Sequence, residues 1–133
     1  MLVIVAAFAF TDMFSHYLKT DVFCRLRPCN DPSLEGLIAL PDGRGSLYGF
    51  PSGHACNTIC FAILTSWLSH RRWWTVTMAT WSLAISYSRI YLAMHFLGDV
   101  IAGLVFGAAV AVAGILLLKF IFSKIPETKE CSA

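Results

Sequence analysis

What this chain has least of is charge. Asp, Glu, Lys and Arg make up 14% of its 133 residues, where a soluble domain carries about 25%. Hydrophobic types make up 57%. So few ionised side chains cannot cover a water-facing surface, and a mean hydropathy of +0.67 excludes an ordinary soluble domain. A formal net charge of +2 is too small for a nucleic-acid-binding surface, especially since four of the ten Lys and Arg residues fall inside the motifs described below. No basic stretch precedes the apolar opening Met1–Phe10, and Thr11-Asp12-Met13-Phe14 is no small-residue cleavage site. The start therefore reads as the first half of a membrane helix, not a cleavable leader. Five cysteines, Cys24, Cys29, Cys56, Cys60 and Cys131, are odd in number and lack paired metal-ligand spacing. Cys56 and Cys60 read as small core residues of an apolar helix, and Cys24 and Cys29 are expected to stay unpaired. The acidic residues are not clustered as Mg²⁺ ligands either.

What the chain does have is apolar runs separated by polar turns. Residues 2 to about 20, 55 to 68, 73 to 88 and 95 to 118 read as four membrane segments, so the fold class is an all-α integral-membrane helical bundle. Residues 28 to 50, punctuated by Pro28, Asn30-Asp31-Pro32 and Pro41-Asp42-Gly43, form an extramembrane loop with a short helical piece expected around Ser33 to Leu40. Ser69-His70-Arg71-Arg72-Trp73-Trp74 reads as an interfacial turn, and 119–133 as a polar tail. In the first segment Asp12, Ser15, His16 and Lys19 form one polar stripe that must face protein or water, with Asp12 and His16 expected as a hydrogen-bonded pair. In the last, Gly103, Gly107 and Gly114 line one side, the small-residue pattern of closely packed membrane helices.

Three polar side chains interrupt the apolar run at 88–99. His95 and Asp99 stand four residues apart, which on a helix puts the carboxylate within reach of the imidazole. Arg89 offers planar donors suited to phosphate oxygens. Upstream, Pro51-Ser52-Gly53-His54 opens an apolar helix, so that backbone N–H groups and a second histidine face an anion at its N-terminus. Lys19, Arg25 and Arg27-Pro28 supply further cations. Intramembrane ionisable residues are costly, and this many at one depth need a shared purpose.

Ser88-Arg89 with His95 and Asp99, Pro51-Ser52-Gly53-His54, and the Lys/Arg-Arg-Pro element at 19–28 together resemble the motifs of the type 2 phosphatidic acid phosphatase (PAP2) superfamily of membrane lipid phosphatases. The first motif departs from the pattern: the family's lysine stands seven residues before the arginine of Arg-Pro, where this chain has Thr20, and Lys19 lies one place earlier. The resemblance implies a single PAP2-like domain over 1–133. It implies a phosphomonoester or diphosphate of a lipid as substrate, of undecaprenyl diphosphate, phosphatidate, phosphatidylglycerophosphate or lipid A type. His95 would be the nucleophile that forms a phosphohistidine, Asp99 its orienting carboxylate, and His54 the acid and base. Arg89, Arg27, Ser52, Gly53, Lys19 and Arg25 would hold phosphate, with no metal and no cofactor.

Three rivals follow from the same residues. A vanadium haloperoxidase shares the implied cradle, but a soluble composition is expected there. A lipid phosphotransferase shares the first chemical step. A truncated, non-catalytic membrane protein is the third, because the family typically has six helices and this reading finds four, leaving two expected before Met1 missing or supplied by a homo-oligomer or partner helices. If the segments alternate in direction, all three motifs emerge at one face. Arg71, Arg72, Lys119, Lys124 and Lys129 then lie at the other, which the positive-inside rule puts in the cytoplasm, leaving the site on the outer face.

Overall fold

The computed structural model describes residues 2–41 and 43–124. Its long elements are α1 (Leu2–Tyr17), α2 (Gly53–Ser69), α3 (Arg72–Tyr91) and α4 (Leu97–Lys124), with a π-helical turn at Leu18–Phe23 continuing α1. The all-α bundle read from the apolar runs is what forms. Among the described residues only α4 is both long and apolar enough to cross a membrane by those two criteria, with a hydropathy of 2.7 over its best window. α1 and α2, at 16 and 17 residues, fall a turn short of a full span, and α3 is diluted by Arg72, Arg89 and hydroxyl residues. α4 continues six residues beyond the expected end at 118, so Lys119 and Lys124 lie on helix. The rest of the expected tail, with Lys129 and Cys131, lies outside the described residues.

The bundle is apolar outside and partly polar within. Phe8, Met13, Val76, Leu83, Val105, Leu116 and Phe120 are all exposed, whereas Thr11, Ser15, Ser82 and Ser86 are buried. That is the arrangement of a protein solvated by lipid, where helix association relies on close packing and interhelical hydrogen bonds instead of water exclusion. Thr58 Oγ1 lies 3.1 Å from Ser82 Oγ, joining α2 to α3, and Thr11 Oγ1 donates to Asn57 Oδ1, joining α1 to α2. The expected Asp12–His16 pair does not form: Asn57 of α2 donates to Asp12, and His16 is exposed, because the side of this turn that faces α2 is the one carrying Ser15, which lies against Gly53.

α2 and α4 make the closest approach, and glycine permits it. A Cβ at Gly103 would stand 2.5 Å from the Ser52 carbonyl oxygen, and one at Gly107 would collide with the carbonyl of Cys56 and the side chain of Ile59. These two glycines thus seat the N-terminal end of α2 on the start of α4, where Ser52 N–H donates to the Asp99 carbonyl at 2.9 Å. Between α1 and α2 the chain is mostly irregular. The expected helical piece at 33–40 shrinks to a 3₁₀ turn at Pro32–Leu34, which ends at the extended Glu35, and Gly36 follows with φ +78°. Arg25 to Arg27 runs extended beside Leu47 to Gly49, with Arg27 N–H bonded to Leu47 O at 3.1 Å and Gly49 N–H to Arg25 O at 2.8 Å. Cys29 N–H donates to Ala93 O at 3.1 Å, tying this loop to the α3–α4 connection. Cys24 and Cys29 are free thiols, as expected.

Gly107→Leu is therefore expected to destabilise the protein by about 1–3 kcal/mol or more through overpacking, read as a fall in thermal midpoint in detergent. Val105→Leu on the lipid-facing side of the same helix, 66% exposed, should change it by less than about 0.5 kcal/mol; equal effects would refute the close-packing account.

Candidate active site

The alternation of helix direction brings the C-terminal end of α1, the N-terminus of α2, the C-terminal end of α3 and the N-terminus of α4 to one end of the bundle. Every motif residue singled out in the sequence sits there. His95 lies in the short connection Leu92–Phe96 and is 2% exposed. Its N–H and that of Met94 both donate to the Arg89 carbonyl, at 3.2 and 3.0 Å, so the end of α3 fixes the turn that presents the imidazole. Asp99, in the first turn of α4, is fully buried. Its Oδ2 accepts from Phe96 N–H at 3.0 Å, its Oδ1 from Arg25 Nη1 at 3.0 Å. His95 Nδ1 stands 3.7 Å from Oδ2 and has no hydrogen-bond partner among the described residues. The pair is adjacent but open by a few tenths of an ångström, a spacing typical of catalytic pairs that tighten when substrate arrives.

Opposite lies the start of α2. Ser52, extended and completely buried, caps the helix through its hydroxyl at 3.5 Å from Ala55 N–H. Gly53 and His54 then line a cavity of about 560 Å³ together with Lys19 and Arg27. His54 is near enough to Arg89, His95, Lys19 and Arg27 to feel their charges, and it lines the cavity with Lys19 and Arg27, whereas His95 and Arg89 lie beside that cavity without lining it. Burial holds His95 below its ordinary imidazole value, and the nearby cations of Arg27 and Lys19 act in the same direction, opposed by Asp99.

The chain's departure from the lysine spacing has a local structural answer. A π-turn takes up one residue more than an α-helical turn does, and the π-helix Leu18–Phe23 contains Lys19 and the four residues that follow it toward Arg27. Lys19 thereby reaches the cavity, its Nζ 3.3 Å from where a Cβ on Gly53 would be, while Thr20 is exposed and hydrogen-bonds back to the His16 carbonyl. Arg27 is aimed by two contacts, Nε to the Tyr48 carbonyl at 3.0 Å and Nη1 to Met94 Sδ at 3.5 Å. Arg25 does not line the cavity; its guanidinium goes to Asp99 and stacks 4.5 Å from the Phe96 ring centre.

Gly49 was not singled out by sequence as a site residue, yet it roofs the pair: a Cβ there would lie 3.2 Å from Asp99 Oδ2 and 3.5 Å from His95 Nδ1. A lone glycine in a Gly-rich loop gives no signal of this. Asp12, Asn57 and Trp81 also line the cavity, and Ser15, buried and with its hydroxyl unpartnered among the described residues, faces Gly53. Away from the cations the wall turns apolar at Phe8 and Phe61, which also border a neighbouring hollow of about 340 Å³ with Ile4 and Val5. Among the described residues no three His, Cys, Asp or Glu side chains gather where they could hold a metal ion.

Comparison with known proteins finds a match to the PAP2 superfamily model over residues 1–123. A lipid A 4'-phosphatase of Bacteroides thetaiotaomicron is 34% identical over 106 residues, 78% of this chain and 47% of that protein. A lipid A 4'-phosphatase of Porphyromonas gingivalis is 35% identical over 100 residues, 74% of this chain and 42% of that protein. The crystal structure of a transmembrane PAP2 type phosphatidylglycerolphosphate phosphatase from Bacillus subtilis superposes with a TM-score of 0.72 at 23% identity, over 96% of this chain and 61% of that one. The similarity to that structure is one of fold. The chain spans less than half the length of these two curated relatives.

His95 is expected to titrate below 6.5, its ordinary value, in a pH series of imidazole NMR spectra. The unfolded chain then takes up this proton first as pH falls. Stability is thus flat above about 6.5 with respect to His95 and declines below it; a ring titrating at or above 6.5 would contradict the described burial.

Proposed function

The chain belongs to the PAP2 superfamily, and from that premise we propose that it is an integral-membrane lipid phosphatase working through a phosphohistidine without a metal ion. The observation that carries this reading is that His54, in the first turn of α2 and lining a cavity with Lys19 and Arg27, comes to the same end of the bundle as the buried His95–Asp99 pair, near enough for each imidazole to feel the other's charge. Lys19, Arg27 and Arg89 hold the phosphoryl oxygens and offset the charge that develops on them, with the Gly53 N–H at the start of α2 completing the cradle and Ser52 keeping that helix end in place. The neutral His95 attacks phosphorus in line through its free ring nitrogen while Asp99 takes the Nδ1 proton in a hydrogen bond and stabilises the positive charge that appears on the ring. The P–N bond forms as the P–O bond to the lipid breaks, and His54 gives its proton to the departing oxygen. In the second half His54 takes a proton from water, the water oxygen attacks phosphorus, the P–N bond breaks and inorganic phosphate leaves. The first half leaves His54 deprotonated and His95 phosphorylated, and the second returns both histidines to their starting forms.

The substrate class follows from what surrounds this centre. From the cations at the end of the bundle the wall runs along α1 and α2 to Phe8 and Phe61 and on to Ile4 and Val5, about 22 Å along the helix axis from Lys19 to Ile4. A phosphate in the headgroup layer with its hydrocarbon laid against these side chains satisfies both ends. The relatives named as lipid A 4'-phosphatases favour a phosphomonoester on a glycolipid within this class.

Phosphate release from a panel of lipid phosphates in detergent tests the reading. His95→Ala is expected to reduce release to background, His54→Ala to lower it by about 10²- to 10⁴-fold, and EDTA to leave it unchanged. Full release by His95→Ala would end the mechanism. The basic residues Arg71, Arg72, Lys119 and Lys124 lie at the opposite end of the bundle, which supports an outward-facing site. In intact cells a membrane-impermeant maleimide should then label the exposed Cys24 without permeabilisation, and Arg71→Cys in a Cys24→Ser background only after it; the reverse order would invert the orientation.

A further inference from the structure

The mechanism leaves one cation of the cluster unused. A buried carboxylate is stable as an anion only if its oxygens are satisfied, and Asp99, fully buried, has its satisfaction divided. Oδ2 accepts the Phe96 N–H at 3.0 Å and faces His95 Nδ1 at 3.7 Å, while Oδ1 is held by Arg25 Nη1 at 3.0 Å. Arg25 is itself held in place. Its carbonyl accepts Gly49 N–H at 2.8 Å, and its guanidinium lies 4.5 Å from the centre of the Phe96 ring, the ring of the very residue whose N–H grips the other oxygen. Residue 98 is glycine, and a Cβ there would stand 3.7 Å from Arg25 Nη1, so the approach to Asp99 is clear. Arg25 and Arg27 share one side of an extended segment, where alternate side chains point the same way; one reaches Asp99 and the other the cavity.

We propose that Arg25 is a positioning residue for the His95–Asp99 pair, clamping Asp99 through Oδ1 so that Oδ2 is turned toward His95 Nδ1, and that it is not a phosphate ligand. The proposal rests on the phosphatase reading for its kinetic consequence alone. Two strong donors fix the plane of the carboxylate, which decides where the imidazole points and thus the line of attack. The guanidinium also draws charge from Asp99 and keeps the histidine in its neutral, nucleophilic form. The other groups that face His95 are Lys19 from the π-turn, Arg27 from the extended segment and His54 from α2, and none of them is changed by substituting Arg25.

The test uses the full chain in detergent, with Arg25→Gln, Arg25→Lys, Asp99→Asn and the Arg25→Gln/Asp99→Asn pair. Arg25→Gln should lower kcat about tenfold to a hundredfold, the scale of a misplaced reacting group, with KM and the inhibition constant of inorganic phosphate within about twofold of the parent. The NMR titration of His95 should move upward by about half a unit to one unit, Arg25→Lys should restore most of both, and Arg25→Gln should add little in the Asp99→Asn background. Weaker phosphate inhibition with kcat retained would make Arg25 an anion holder and overturn the proposal, as would an unmoved His95 titration or full additivity with Asp99→Asn. Should the parent chain release phosphate from no lipid, the phosphatase reading fails, and the His95 titration in Arg25→Gln still decides whether the clamp exists.

Discussion

The constraint on which the rest depends is the contact of two helix backbones across Gly103 and Gly107. Without side chains at these positions α4 lies against the carbonyls of Ser52 and Cys56, and that depth of approach lets Ser52 N–H reach the Asp99 carbonyl. The oriented carboxylate and the N-terminal end of α2 that opens on the cavity are thereby locked to each other by main-chain atoms. Packing in lipid gains little from apolar contact alone, so closeness of backbones and a few interhelical hydrogen bonds set the geometry. The same two glycines that make the bundle compact therefore also set the separation between the two halves of the site.

The interior that results is unusually polar for so hydrophobic a chain. Thr11, Asn57, Thr58 and Ser82 tie α1, α2 and α3 together, and toward the site end the same positions give way to ionisable groups. Lys19, Arg27 and His54 stand around one cavity whose charges would be prohibitive if isolated. On the phosphatase reading proposed above, a phosphate dianion offsets them, which gives a physical reason for several cations to converge where one carboxylate, Asp99, is already engaged by Arg25.

Much of this was legible in the residues. Apolar runs gave the four helices, the Gly103–Gly107 spacing gave the packed face, and the His95–Asp99 interval and Pro51-Ser52-Gly53-His54 identified the two connections that meet. What escaped sequence reasoning was contact between elements far apart in the chain. The role of Gly49 depends on a loop that returns over the site from 46 residues before His95, and nothing in its own neighbourhood marks it. Arg25 and Arg27 are alike by type and differ only in where an extended segment aims them. The partner of Asp12 came from α2 and not from the next turn of its own helix. Helix ends, too, were set by tertiary context: α4 runs on to Lys124 because an apolar helix surface continues to be solvated by lipid beyond the last packed turn.

The π-turn at Leu18–Phe23 bears on how such proteins are found. It takes up a single added residue without disturbing where Lys19 delivers its ammonium group, so the count of residues between a lysine and an Arg-Pro pair is an elastic quantity. A pattern that fixes that count would discard this chain as lacking its first signature. Angular position around the helix axis is the property that selection can hold constant, and a search written in those terms would admit insertions of this kind while still rejecting lysines that point into the bilayer.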